Sequence, residues 1–311
     1  FHESTGINPW VKNELTLMNL TVHQTAISDD NQYMAEAHNG VNEYLYVCDG
    51  VDVRYSTDQG GDWSDGTPDN PITNPAGGDI LGIASDGKNV YVVASAKITK
   101  ITGTSFSTST DGTDHWLLAS ADGVWVANGY LIASVADRLT VLSVGSVAST
   151  NADIASASFN QVDSWSSVIG TPVGIYAAGN QGDQGRIYYI GINDSTSALN
   201  VPVIAAELPL GEKINVIAEY GGLVIIGTSK GIRMAQITGQ GYLTYGPRIN
   251  ITGGVSVFEP QGEFVWFGWT DYTSPFDSTS RSGLGRLSLK ELTAQLVPAY
   301  ASDLMTTDAV G

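Results

Sequence analysis

Cysteine is almost missing from this 311-residue chain: Cys48 is the only one, so no internal disulfide can staple the fold. Its place in an apolar run predicts a buried, inert thiol. Basic residues are scarce too, with 14 Lys and Arg against 32 Asp and Glu and a formal charge of −18. Without a basic stripe to neutralise phosphates, nucleic acid is not an expected partner, and anionic membrane surfaces are disfavoured for the same reason. The acidity serves solubility instead. No apolar run approaches the ~18 residues of a membrane span, so membrane insertion is not expected. The four histidines, His2, His23, His38 and His115, lack metal-ligand spacing. Neither a Gly-x-Ser-x-Gly elbow nor a phosphate-binding loop occurs. Also lacking is any 3.6-residue apolar stripe of the kind that marks an amphipathic helix.

What the chain does have is a strand pattern that returns six times. A short apolar strand is followed by a Gly/Asn/Asp turn, then a second strand richer in aromatic and β-branched residues, then a third. The second strand opens at Tyr44 (YLYV), Val90 (VYVVAS), Tyr130 (YLIASV), Ile175 (IYAAG), Leu223 (LVIIGTS) and Phe264 (FVWFGW), at intervals of 46, 40, 45, 48 and 41 residues. Strand-only repeats of about 40–50 residues predict an all-β fold, a six- or seven-bladed β-propeller of four-stranded antiparallel blades. The fifth repeat is the clearest: Ile214–Glu219, Leu223–Thr228, Ile232–Ile237 and an outer strand within Gly241–Ile251, where Pro247 is tolerable at an edge. Near-continuous apolar runs imply strands covered on both faces, so Val47, Val92, Ile132, Ile225, Ile226, Val265 and Phe267 are predicted core. Residues 33–304 carry the six repeats, closing on an outer strand near Gln295–Ala301. Residues 1–32 form a lead-in whose Leu15–His23 segment alternates like a strand that could complete a blade. Residues 305–311 begin a further blade or a linker. The absent initiator Met and the abrupt stop suggest part of a longer polypeptide.

Gly at 36 residues and charged residues at 15% fit many tight turns on a hydroxyl-rich surface. One of those turns carries a specific motif, Ser56-Thr57-Asp58-Gln59-Gly60-Gly61-Asp62-Trp63. It resembles the Asp-box of sialidase-like propellers, Ser-x-Asp-x-Gly-x-x-Trp. Asp58 accepts from turn amides, Gly60 supplies an unusual backbone angle and Trp63 packs beneath the hairpin. The resemblance implies a folding element, not a reacting one. A looser echo runs from Ser109 to Trp116.

Catalysis is not expected, and no catalytic, cofactor-binding or metal-ligating residue is assigned. A sialidase-type site needs three arginines gripping a carboxylate. The seven here, Arg54, Arg138, Arg186, Arg233, Arg248, Arg281 and Arg286, fall mostly on third or outer strands. The Asp58/Asp62/Asp65/Asp69 and Asp271/Asp277 groups are acid clusters a Ca2+ could use, but neither has EF-hand order and both read first as solvated turns.

Further along, Gly241–Arg248 (GYLTYGPR), Ile251–Val255 (ITGGV), Gly262–Thr270 (GEFVWFGWT), Ser282–Leu289 (SGLGRLSL) and Pro298–Leu304 (PAYASDL) resemble minor tail proteins of long-tailed bacteriophages, best known from phages of actinobacteria. That resemblance implies a virion protein, a tail-tip propeller serving assembly or host-surface adhesion. Its implied partners are other tail-tip proteins and a host glycan or protein. A sialidase-like glycan-binding or glycan-hydrolysing propeller is the alternative. The longest insertions, Ser64–Gly78 and Thr270–Gly283, should emerge at one end of the sheets and make Asp65, Asp69, Trp269, Asp271, Tyr272, Phe276 and Asp277 candidate contact residues.

Overall fold

A computed structural model describes residues 7–8, 16–17, 33–58, 63, 72–73, 78–94, 97–106, 115–117, 121–142, 152–153, 162–193, 199–251, 253–273, 280–289 and 305–306. Two short strands, Ile7–Asn8 (β1) and Thr16–Leu17 (β2), pair with each other. Within the lead-in, then, the described part of Leu15–His23 is spent on a local pair.

Beyond them the described residues form six further sheets, each following the chain from strand to strand. The first holds Met34–His38, Glu43–Asp49, Asp52–Ser56 and Ile72–Thr73 (β3–β6). Next come Ile80–Ser85, Val90–Ala94, Lys97–Thr102, Ser105–Phe106 and His115–Leu117 (β7–β11), the last two both pairing with β9. The third consists of Ala121–Ala127, Tyr130–Val135, Arg138–Leu142 and Ala152–Asp153 (β12–β15). The fourth runs through Ser164–Thr171, Gly174–Gln181, Gln184–Ile190 and Val203–Glu207 (β16–β19). The fifth has Ile214–Tyr220, Leu223–Thr228, Gly231–Ile237, Leu243–Tyr245 and Ile249–Asn250 (β20–β24). Gly254–Gln261, Phe264–Thr273, Ser280–Ser288 and Met305–Thr306 (β25–β28) make the sixth.

The chain divides into two compact units, one of residues 24–175 and 190–202, the other of residues 1–23, 176–189 and 203–311. Each has its own core. In the first, β4 and β8 bring Tyr46, Cys48, Val90 and Val92 together, all under 4% exposed. In the second, Ile225, Ile232, Val255, Val265 and Phe267 from the fifth and sixth sheets pack as one cluster. All seven predicted core residues are buried, from 0% exposure at Val92, Ile132, Ile225, Ile226 and Val265 to 3% at Val47. The cause is the predicted one: a second strand has neighbours on both edges and both faces, so every side chain on it must be apolar or paired.

Three expectations need correction. Ser64–Gly78 was read as a connection between sheets emerging at the same end as Thr270–Gly283, but β6 lies inside it, Ile72 and Thr73 pairing with Val53 and Asp52, so only the part after Thr73 connects sheets. The sixth hairpin was read as opening at Thr270, but β26 and β27 continue past it. A register shift between Trp269 and Tyr272 absorbs the irregularity, and pairing resumes at Tyr272↔Arg281 and Thr273↔Ser280. Hydroxyl and charged residues hid that extension, because a strand is marked in sequence by its apolar residues. The outer partner of β27 is Met305–Thr306, which had been assigned to the tail, whereas Gln295–Ala301 lies outside the described residues.

Candidate functional site

Every sheet has two ends. One carries the turns between second and third strands and the connections between sheets; the other carries first-to-second and third-to-fourth turns. At the connection end, Ile80 N–H donates to the Gly50 carbonyl at 3.2 Å in the first compact unit. In the second, Ser229 N–H donates to the Lys213 carbonyl at 2.9 Å, and Lys213 N–H returns a bond to Ser229 Oγ at 3.2 Å.

This end also has a repeated backbone irregularity. The pairing of first with second strand shifts register at Ile80/Gly82, Ala121/Gly123, Ile214/Val216 and Val255/Val257. The residues between, Leu81, Asp122, Asn215 and Ser256, are all exposed. A bulge re-aims the extra side chain and ends regular pairing, so each of these four sheets presents one side chain at the start of its first strand. Asp122 Oδ2 accepts from Ala136 N–H at 3.1 Å, and Asn215 Nδ2 donates to the Val255 carbonyl at 3.0 Å. The first strands read simply as apolar runs, and only Gly82 and Gly123 beside two of the bulges hinted at them.

Beneath the connection end of the fifth sheet, Glu212 and Arg233 form a two-pronged ion pair. Arg233 Nε reaches Glu212 Oε1 at 2.9 Å and Nη2 reaches Oε2 at 2.7 Å, while Nη1 donates to the Gly246 carbonyl at 3.2 Å. The Arg233 guanidinium also lies 5.2 Å from the centre of the Tyr245 ring. Burial pushes the Glu212 carboxyl up, but hydrogen bonds from Arg233 and Thr228 and the Arg233 charge outweigh it and hold the group below its ordinary range. On the preceding sheet Arg186 is spent similarly, on Glu207 at 2.7 Å and Gln181 at 2.6 Å. Six of the seven arginines do lie on third strands: Arg54, Arg138, Arg186, Arg233, Arg281 and Arg286.

The opposite end is tied by side chains to turns of the following sheet. Tyr46 Oη donates to the Gly103 carbonyl at 2.7 Å, Tyr176 Oη to Gly241 at 2.9 Å and Tyr220 Oη to Gly262 at 2.7 Å. Here too lie two sibling turns, Asn39-Gly40-Val41-Asn42 and Asp86-Gly87-Lys88-Asn89. In each, the first side chain accepts two turn amides: Val41 and Asn42 N–H at 3.0 and 2.9 Å on Asn39, Lys88 and Asn89 N–H at 2.8 and 2.6 Å on Asp86. Gly40 and Gly87 have φ of 96° and 86°, which only glycine adopts without strain. Burial works against the Asp86 charge, yet the bonds from Asn89, Lys88 and Tyr91 prevail and lower its pKa.

Within the Asp-box segment, Ser56 and Asp58 are tied to each other. Ser56 Oγ donates to Asp58 Oδ1 at 2.6 Å, and Asp58 N–H donates back to Ser56 Oγ at 3.3 Å. Trp63 is 4% exposed. Gly60 lies outside the described residues, as do Asp65, Asp69, Phe276 and Asp277. Asp271 and Tyr272 belong to β26. Trp269 is not a contact residue: it is 1% exposed and sits in the core of the fifth and sixth sheets, opposite Val255 and Gly283. The alternation of β26 turns it inward. Among the described residues, no three His, Cys, Asp or Glu side chains converge as a metal site would need.

Scans against protein-family models and curated proteins gave no match. Solved structures do match. A Lactobacillus plantarum protein aligns at TM-score 0.62 and 14% identity, over 94% of this chain and 89% of that one. A candidate 6-phosphogluconolactonase from Bacteroides uniformis aligns at TM-score 0.52 and 14% identity, over 78% and 76%. The extracellular domain of a candidate one-component system from Bacteroides thetaiotaomicron aligns at TM-score 0.55 and 11% identity. That match covers 84% of this chain, which spans only 32% of the other's length. These likenesses, with the antiparallel sheets, define the fold as β-propeller type.

Proposed function

We propose that this chain is a non-catalytic propeller module of a bacteriophage tail tip, its six sheets acting as blades that brace neighbouring tail proteins or meet the host surface. The observation that carries the reading is the resemblance of Gly241–Arg248, Gly262–Thr270 and Ser282–Leu289 to minor tail proteins. Those segments lie along β23, β26 and β27, strands that build the second compact unit.

Two further observations support it. Arg186 and Arg233 are engaged by Glu207 and Glu212, a use of arginine as structural tie that leaves these two out of any carboxylate-gripping triad. The sialidase-like alternative rests on the Asp-box, where Asp58 is bonded to Ser56 and Trp63 is buried, the use of a folding element.

The test is mass spectrometry of purified virions of the phage that encodes the chain, with tail fractions analysed separately. Peptides of this chain enriched in the tail fraction support the reading. Their absence from virions, or turnover of sialosides by the purified protein, overturns it.

A further inference from the structure

We propose that Asn39 is a self-deamidation site, at which His38, two turn amides and Tyr44 promote conversion to aspartate through a succinimide. The sequence holds two Asn-Gly pairs, Asn39-Gly40 and Asn128-Gly129. With no side chain on the second residue, the glycine nitrogen can approach the asparagine Cγ closely. What distinguishes Asn39 is the arrangement of groups around each atom that must change.

Gly40 N–H donates to His38 Nδ1 at 3.1 Å, so the nitrogen that must attack already points its proton at a base. Asn39 Oδ1, where negative charge would develop, accepts from Val41 and Asn42 N–H at 3.0 and 2.9 Å, a pair of donors of the oxyanion-hole type. Asn39 Nδ2, the leaving group, lies 3.1 Å from Tyr44 Oη, which also accepts from Asn42 Nδ2 at 3.2 Å.

The step balances. Gly40 N forms a bond to Asn39 Cγ and passes its proton to His38. The oxyanion on Oδ1 collapses and the Cγ–Nδ2 bond breaks. Once that nitrogen is a tetrahedral amine with a lone pair, the Tyr44 hydroxyl turns its proton to it, and ammonia departs. Imidazolium then returns a proton to the phenolate through water. Addition of one water opens the succinimide to aspartate or isoaspartate.

The sibling turn shows that the aspartate product fits. Asp86 occupies the same position, takes the same two amides and holds Tyr91 Oη at 2.8 Å where Asn39 meets Tyr44. There, Gly87 N–H donates to Ser85 Oγ at 3.0 Å, a hydroxyl in the place of His38 and no base. Isoaspartate would lengthen the turn backbone and break the Asn39 N–H to Asn42 carbonyl bond of 3.1 Å, so ring opening in the folded chain favours ordinary aspartate. Asn128 is the internal control. Its Nδ2 is drawn across to the Thr171 and Gly174 carbonyls at 2.9 and 3.3 Å, bonds that the loss of ammonia would destroy.

The experiment incubates the folded protein and the free peptide of residues 36–45 side by side, following amide-to-acid conversion by peptide mapping with isoaspartate-resolving fragmentation. The expected result is faster conversion at Asn39 in the folded chain than in the peptide, and faster than at Asn128. His38→Gln should slow it about ten- to a hundredfold without changing the melting temperature, since positioned proton transfer is worth about that much or more. Tyr44→Phe should slow it as well. Conversion in the folded chain no faster than in the peptide overturns the proposal even if a variant fails to fold. So does an unchanged rate in a folded His38→Gln protein.

Discussion

The Tyr46 hydroxyl donates to the carbonyl oxygen of Gly103 at 2.7 Å, 57 residues further along and in the next sheet. Tyr176 repeats the bond to Gly241 at 2.9 Å across 65 residues. In both cases a second-strand tyrosine reaches the turn between the third and fourth strands of the sheet that follows. Neither tyrosine is more than 1% exposed, so the hydroxyl and the carbonyl satisfy each other away from water. Burial pushes the Tyr176 hydroxyl up to about 12, and that of Tyr46 higher still. Tyr46→Phe should therefore cost about 1–2 kcal/mol by leaving the Gly103 carbonyl unpaired. Urea melts of the single variant and of Tyr46→Phe with Tyr176→Phe check this, the two sites being expected to add.

Cys48 should be inert toward thiol reagents in the native protein. It is 3% exposed, and burial raises its thiol to about 12, so the thiolate is scarce at neutral pH. Labelling with a maleimide at about pH 7.5 should be very slow in buffer and complete in about 8 M urea, which unfolds the chain. Rapid native labelling would mean that the β3–β5 sheet opens locally.

Ile225→Asp should leave the chain insoluble or unfolded. Ile225 is 0% exposed, pairs with Ala218 and Met234, and contacts the cluster of Val255, Val265 and Phe267. An unpaired carboxylate there has no compensating partner and costs several kcal/mol. Soluble expression with an unchanged melting curve would contradict this packing.

How much of this was legible beforehand divides along a physical line. Second strands are apolar on both faces, and all six expected openings, from Tyr44 to Phe264, fall at or within one residue of an observed strand start. The Ser56–Asp58 bond is of the kind a sequence motif can show, since its partners are two residues apart. Trp269 misled because a strand end and a loop start look alike once polar residues follow. The Glu212–Arg233 pair was invisible for another reason: its partners are 21 residues apart, and no local pattern marks two opposite charges that only the folded chain brings together. The sibling turns lay in between, readable by aligning Asn39-Gly40-x-Asn42 on Asp86-Gly87-x-Asn89 within the repeat.

The Glu212–Arg233 pair gives the protein an acid-sensitive joint. Glu212 is 2% exposed and Arg233 9%, so the pair is desolvated and its two bonds must replace hydration. Removing one partner strands the other charge, and Arg233→Met should cost about 3 kcal/mol, more than replacing both residues together. Because Glu212 titrates below its ordinary value of 4.5 when folded, the pair contributes fully above that value. The contribution is lost as pH falls from there through the lower folded value, where protonation of the unfolded chain is favoured. Wild-type stability should therefore drop as pH falls below about 4.5, and Glu212→Gln should flatten part of that slope while lowering stability at pH 7. Urea denaturation at half-unit pH intervals measures both. Parallel slopes in wild type and Glu212→Gln would show that the acid sensitivity arises at other carboxylates.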